Sequence, residues 1–231
     1  SLAADLGERL RLNTPVTAVN ARDGAVALHT DAGEFLARRV IMATPPALTA
    51  AVRFEPDLPP LKRGLLQRQP MGSCIKVLVA YARPFWRDRG LNGFVLNMDA
   101  PFTPVLDVSP PDAGVYLLAG FFDGDAALAF NSMSPERRRS EVLGELAARF
   151  GDEALSPLGL VERDWTRERW SQGCYGGYMG PGTLTTYGPA LRAPHGPVHW
   201  AGTETSARWA GYIEGAILAG ERAADEVIQA L

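Results

Sequence analysis

The sequence predicts an α+β fold, on three observations. Alternating apolar runs joined by turn residues fill positions 16–43. A second group of short strands at 74–123 is followed by a capped helix. A strand, a turn and a long helix close the chain. The 231 residues suffice for one large domain or two small ones. With 46% hydrophobic and 21% charged residues, the composition is that of an ordinary soluble globular protein.

Taken in order, "VTAVNA" and "AVALHT" are strands joined through Asp23-Gly24, a hairpin signal. "DAGE" turns the chain into "FLARRVIMA". Its last part, Val40 to Ala43, is apolar on both faces, which predicts a buried strand that ends at Pro45 and Pro46. "LPPLKRGLLQRQ" reads as a short helix begun by proline. "GSCIKVLVAYARPFW" is a strand, with Cys74, Lys76, Leu78 and Ala80 on one face and Ile75, Val77, Val79 and Tyr81 on the other. "GFVLNM", "TPVLDV" and "VYLLAGFF" predict further strands of a mixed or antiparallel sheet. The clearest helix is "SPERRRSEVLGELAARFG". Ser134 caps it, Pro135 opens it, Gly151 stops it, and Val142, Leu143, Leu146 and Phe150 form one stripe. "PVHWAGTE" reads as a strand into a turn. In "GYIEGAILAGERAADEVIQAL" the small residues Gly215, Ala216, Ala219, Gly220, Ala223 and Ala224 suit a helix lying close on a sheet.

Charge and composition exclude several classes. A net charge of -3 offers no basic footprint for nucleic acid and no polybasic membrane patch. No apolar run approaches the roughly 20 residues that span a bilayer, and no signal-peptide pattern occurs. Cys74 and Cys174 make neither a disulfide framework nor a zinc-like spacing, so a reduced, cytoplasmic setting is expected. The chain opens at Ser1 without a methionine and runs into "AADLGERLRL", which reads as the end of a helix. A piece of a longer protein is the expectation.

Three segments carry candidate chemistry. Lys76 sits in a strand read as apolar on both faces. Such a lysine either pairs with a carboxylate, or snorkels, or is used by a ligand. "AGTETSARWAGYIEGA" leads from a strand to a helix start, where free backbone N–H groups favour negative charge; it is equally an ordinary connection. "CYGGYMGPGTLTTYG" is a turn with packing aromatics, or the wall of a site.

Together these segments resemble the flavin-dependent monoamine oxidases. The matching stretches are "QPMGSCIKVLVAYARPFW", "DWTRERWSQGCYGGYMGPGTLTTYGPALR" and "HWAGTETSARWAGYIEGAILAGERAADEV", with "ATPP" and "LPPLKRGLL" between the meander and the first of them. The resemblance covers nearly the whole chain and corresponds to the C-terminal part of such an enzyme. It implies FAD as cofactor, and oxidation of an amine to an imine that hydrolyses to an aldehyde or keto product while O2 becomes H2O2. By position it makes Tyr175 and Tyr212 the aromatic walls before the flavin, and Lys76 the lysine that holds a water at flavin N5. It places Trp165 against the isoalloxazine, and Val16, Gly202, Thr203, Glu204, Gly211 and Ile213 on the cofactor. Cys174 stands where animal members carry a thioether to the flavin, whereas Gly176 and Gly177 depart from the animal pattern. Leu106 and Phe121 are expected to line the substrate pocket.

The GxGxxG loop and its βαβ unit, which hold the FAD pyrophosphate in this family, are absent from the sequence. The resemblance therefore implies a partial FAD-binding domain at 1–46, a substrate-binding domain at 47–170 and a return to the FAD-binding domain at 171–231. The isolated chain is expected to be inactive and to bind FAD weakly. Its partner would be an N-terminal FAD-binding segment, in the same protein or a separate chain, with a homo-oligomer left open. The substrates are a small amine and O2, with no metal, nucleic acid or membrane partner. A non-catalytic structural module is the alternative from another class. An L-amino acid oxidase, needing an arginine such as Arg83 or Arg208, and a polyamine oxidase are the alternatives among enzymes.

Overall fold

The computed structural model describes residues 2–22 and 24–231. Asp23 of the expected hairpin turn lies outside the described residues. In chain order the first elements are α1 (Leu2–Leu6), β1 (Val16–Arg22), β2 (Ala25–Thr30), β3 (Gly33–Ala37), β4 (Val40–Met42), α2 (Pro46–Thr49), β5 (Arg53–Glu55) and α3 (Pro60–Leu66). There follow β6 (Cys74–Tyr81), α4 (Phe85–Asp88), β7 (Val105–Asp107), β8 (Tyr116–Asp123), α5 (Asp125–Asn131), α6 (Pro135–Phe150) and β9 (Gly159–Asp164). The last are α7 (Thr183–Tyr187), β10 (Val198–Trp200) and α8 (Ile213–Gln229). The chain divides into two units, Ser1–Pro70 with Gly177–Leu231, and Met71–Gly176.

The first unit is built on the predicted meander, extended by the short strand β5. Its sheet runs β3-β2-β1-β5, with β5 parallel to β1. β4 leaves that sheet and pairs in parallel with β10, matching Val40 with Val198 and Met42 with Trp200. These four side chains join Val19, Val26, Phe54, Leu58 and Leu66 in one core. The expectation that β4 is buried on both faces fails at Ile41, which is 39% exposed. Ile41 shares its face with His199, which α8 covers through Glu226. Of the small residues expected to pack, α8 buries Gly215, Ala219 and Ala223, whereas Gly220 and Ala224 are half-buried and Ala216 is exposed. Arg222 fastens the helix to β10 by donating to the Trp200 carbonyl at 2.6 Å.

The second unit is a four-stranded sheet, β7-β8-β6-β9, antiparallel throughout. One face packs on α5 and α6 around Val77, Val79, Leu118, Phe122, Phe130, Val142 and Leu146. The α6 signals hold as read: Ser134 Oγ accepts from the Arg137 N–H, Pro135 opens the helix, and the stripe Val142, Leu143, Leu146, Phe150 is buried. Three strand readings need correction. β6 is buried on the Ile75, Val77, Val79, Tyr81 face only, because the other face, with Lys76, Leu78 and Ala80, is half-exposed. "GFVLNM" forms no strand beyond a bridge from Val95 to Val105. Asn92 and Asn97 instead accept bonds from the backbone two residues on, which competes with a ladder. β9 was not foreseen, yet it is the edge partner of β6.

The unit breaks fall after Pro70 and after Gly176, later than positions 46 and 170. α3 belongs with the first unit because Lys62 donates to the Leu191 carbonyl and Gly64 lies against the Tyr187 ring. Residues 174–176 belong with the second: Cys174 N–H donates to Gly72 O at 2.9 Å and Gly72 N–H donates to Gly176 O at 3.0 Å.

Candidate active site

In the second unit the half-exposed sheet face gathers Lys76, Leu106, Phe121, Cys174 and Tyr175. Antiparallel register sets Phe121 and Arg163 on either side of Lys76. One step along, Leu106 stands opposite Ala119, so Leu106 and Phe121 share this face. Lys76 Nζ lies 5.5 Å from the Phe121 ring centroid. None of the ion pairs among the described residues includes Lys76. The desolvation cost expected for a lysine between two apolar faces does not arise, since its face is open.

Cys174 and Tyr175 reach the same region. The Tyr175 ring is 65% exposed and packs on Phe121 at 5.8 Å between centroids. Its hydroxyl end meets the Cys74 thiol. Burial there, with the charge of Asp123, pushes the tyrosine hydroxyl above its ordinary range. Burial also pushes up the thiol of Cys74, which is 1% exposed and stands opposite Asp123 across the strand pair. Cys174 is half-buried, and its thiol is raised by burial and Asp123 while Cys74 and Lys76 pull it down. The close approach is specific: a Cβ on Gly72 would lie 2.6 Å from the Cys174 carbonyl oxygen. Trp165 opens a single 3-10 turn, Trp165–Arg167, directly after β9, and is half-buried.

In the first unit, the loop before α8 collects Gly202, Thr203, Glu204, Gly211, Tyr212 and Ile213. Thr203 Oγ1 accepts from the Gly211 N–H at 2.7 Å and donates to the Tyr212 carbonyl at 2.9 Å. Gly211 sits at φ +87°, where only glycine is unstrained. Gly215 must also be glycine, because a Cβ would fall 2.1 Å from the Trp209 carbonyl oxygen. The helix starts at Ile213 with no side-chain cap, which leaves first-turn N–H groups open. Tyr212 is 66% exposed and meets Trp209 edge to face at 6.0 Å. Val16, by contrast, begins β1 and packs on the core of its sheet.

The sequence reading missed Arg163, Trp209 and Asp123. For Arg163 a signal existed: "GLVERD" alternates after a Pro-Leu-Gly turn. Arg83, a candidate for a substrate carboxylate, is committed elsewhere, in ion pairs with Asp88 and Glu153.

The second unit thus presents an exposed aromatic surface beside Lys76 and a half-buried thiol, and the first unit, separately, an uncapped helix start held by glycines. The chain belongs to the family of flavin containing amine oxidoreductases, whose sequence profile matches residues 1–228. It is 43% identical to the L-amino acid dehydrogenase of Synechocystis sp. over 227 residues, covering 98% of this chain and 48% of that protein. Cyclohexylamine oxidase from Brevibacterium oxydans superposes with a TM-score of 0.94 at 34% identity, covering 99% of this chain and 51% of that one. Wild-type putrescine oxidase bound to putrescine gives 0.95 at 31% identity, again over 99% and 51%. The chain thus spans about half the length of the relatives it matches. Among the described residues no helix is long and apolar enough to cross a membrane, and no cluster of metal-ligating side chains occurs.

The residues present fit a flavin. The open N–H groups at the start of α8 suit the electron-rich edge of the ring, and the glycines at 202 and 211 leave backbone accessible beside it.

Proposed function

We propose that this chain forms the flavin-facing and substrate-handling part of an FAD-dependent amine oxidase. The observation that carries it is the grouping of Lys76, Phe121, Cys174 and Tyr175 at one half-exposed sheet face of the second unit; within the first unit, the uncapped start of α8 independently suits a cofactor. Bound flavin supplies the acceptor for the hydride equivalent that leaves the carbon bearing nitrogen. The amine becomes an imine, water hydrolyses it, and O2 is reduced to H2O2.

The chain's own residues bind, orient and shield. Tyr175 and Tyr212 each present an exposed aromatic face that holds the amine and excludes water. Because the Tyr175 hydroxyl is held protonated, it serves as a neutral wall and not as a base. The Lys76 ammonium, without a carboxylate partner among the described residues, fixes a water and stabilises negative charge developing on reduced oxygen. Leu106 and Phe121 make the pocket apolar and favour an apolar or aromatic amine. Trp165, Gly202, Thr203, Glu204, Gly211 and Ile213 contact the cofactor, and Cys174 offers a thiol for a covalent link to it.

The test uses the complete flavin-loaded protein. Tyr175→Ala and Tyr212→Ala should each lower kcat/KM for the amine by roughly ten-fold or more. Unchanged kinetics in both remove the aromatic-wall assignment. Flavin that stays with the acid-denatured chain supports the Cys174 link, and complete release excludes it.

A further inference from the structure

Trp165 is held in a way that its packing does not explain. The ring is only half-buried and belongs to neither apolar core, so apolar packing alone does not set its plane. A frame of polar groups does. Asp164 Oδ1 accepts from the Thr166 N–H at 2.9 Å and from the Thr166 hydroxyl at 2.6 Å. Its other oxygen, Oδ2, accepts from Asn131 Nδ2 at 2.8 Å and pairs with Arg167 Nε at 3.2 Å. Asn131 Oδ1 in turn accepts from Arg167 at 3.1 Å, which closes a ring of three side chains. On the other flank the Arg163 guanidinium lies 5.6 Å from the Trp165 ring centroid and is itself paired with Glu168.

Capping a three-residue turn requires one acceptor. Here both oxygens of a carboxylate that is only 16% exposed are used, and the turn is tied back to the end of α5. A charge-assisted ring of this kind is rigid and directional.

We propose that Asp164 is a positioning residue. With Asn131 and Arg167 it locks the 165–167 turn, and with Arg163 stacked on the ring it sets the plane in which Trp165 meets the flavin. The inference rests on the reading of Trp165 as a flavin neighbour. It assigns to Asp164 no contact with substrate or cofactor.

The experiment compares Asp164→Ala, Asp164→Asn and Asn131→Ala in the flavin-loaded protein, each with Trp165 and with Trp165→Phe. The readouts are kcat, KM and the visible circular dichroism of the flavin. Asp164→Ala should lower kcat roughly ten-fold while KM moves less than about two-fold, and should change the flavin dichroism. Both effects should vanish in the Trp165→Phe background, since a positioning residue has nothing left to position. Asp164→Asn keeps the acceptor for Thr166 but turns an amide NH2 toward Asn131 and Arg167, so its loss should fall between none and that of Asp164→Ala. If Asp164→Ala does not fold, Asn131→Ala, which removes only part of the ring, should show the same pattern on a smaller scale. Effects that persist in full with Trp165→Phe overturn the inference, as does an unmoved flavin dichroism while Trp165→Phe itself changes it. If Trp165→Phe alone alters neither dichroism nor turnover, the reading of Trp165 beside the flavin is what fails.

Discussion

Lys62 is the buried lysine among the described residues. It is 5% exposed, donates to the Leu191 carbonyl at 3.1 Å and lies 3.8 Å from the Trp200 ring centroid. Burial, with the Arg222 charge adding to it, lowers its pKa from 10.5 to about 7. The unfolded chain holds this proton up to its ordinary pKa, while the folded chain sheds it above about 7. Between those values the unfolded state binds more protons, so stability rises with pH. The denaturant midpoint should therefore be higher at pH 9 than at pH 6.5. Lys62→Met, of similar length and without charge, should abolish that part of the rise and stabilise the protein near neutrality. Equal midpoint shifts in both proteins contradict this. The lysine singled out in the sequence was Lys76, because its strand reads as apolar on two faces. Which lysine is buried depends on Leu191 and Trp200, which are distant in sequence, so no local pattern marks Lys62.

At the scale of elements, local signals were reliable where they were complete. α6 carries its cap, opening proline, apolar stripe and stop glycine within one stretch, and it forms as read. β6 was legible as a strand but not in its exposure, since alternation does not say which face another layer covers. The run at 93–98 lost its ladder to asparagine turns. β8 shows how tightly the elements fit. A Cβ on Gly120 would stand 2.1 Å from the Phe102 ring, which is itself 1% exposed and packed at a tilt on Phe122. Neither ring nor strand can yield without disturbing the core. Gly120→Ala should cost about 1–3 kcal/mol of stability, measured by denaturant unfolding, despite the better strand propensity of alanine. A neutral effect places slack in this core that the packing does not show.

At the scale of the molecule, the two units hold separate cores, one around Val19, Phe54 and Trp200 and the other around Val77, Phe122 and Leu146. A cavity in one core should loosen its own strands first. Leu146 is fully buried, and Leu146→Ala should cost about 2–5 kcal/mol. Hydrogen exchange should then quicken at the amides of β6, β8 and β9 more than at those of β1 and β2. Equal acceleration across both sheets indicates one cooperative unit instead.

The sequence by itself determined the α+β class, the meander, the capped helix and the family, because caps, turns, periodicity and the ordered motifs around Cys74, Cys174 and Gly202 are all local. Only the tertiary structure decided which face of β6 opens to the site, that Phe121 and Arg163 flank Lys76, that β4 pairs with β10, and that Asp164 frames Trp165. Those are matters of strand register and of side chains meeting across long sequence separations. A local pattern contains no information about which neighbour arrives.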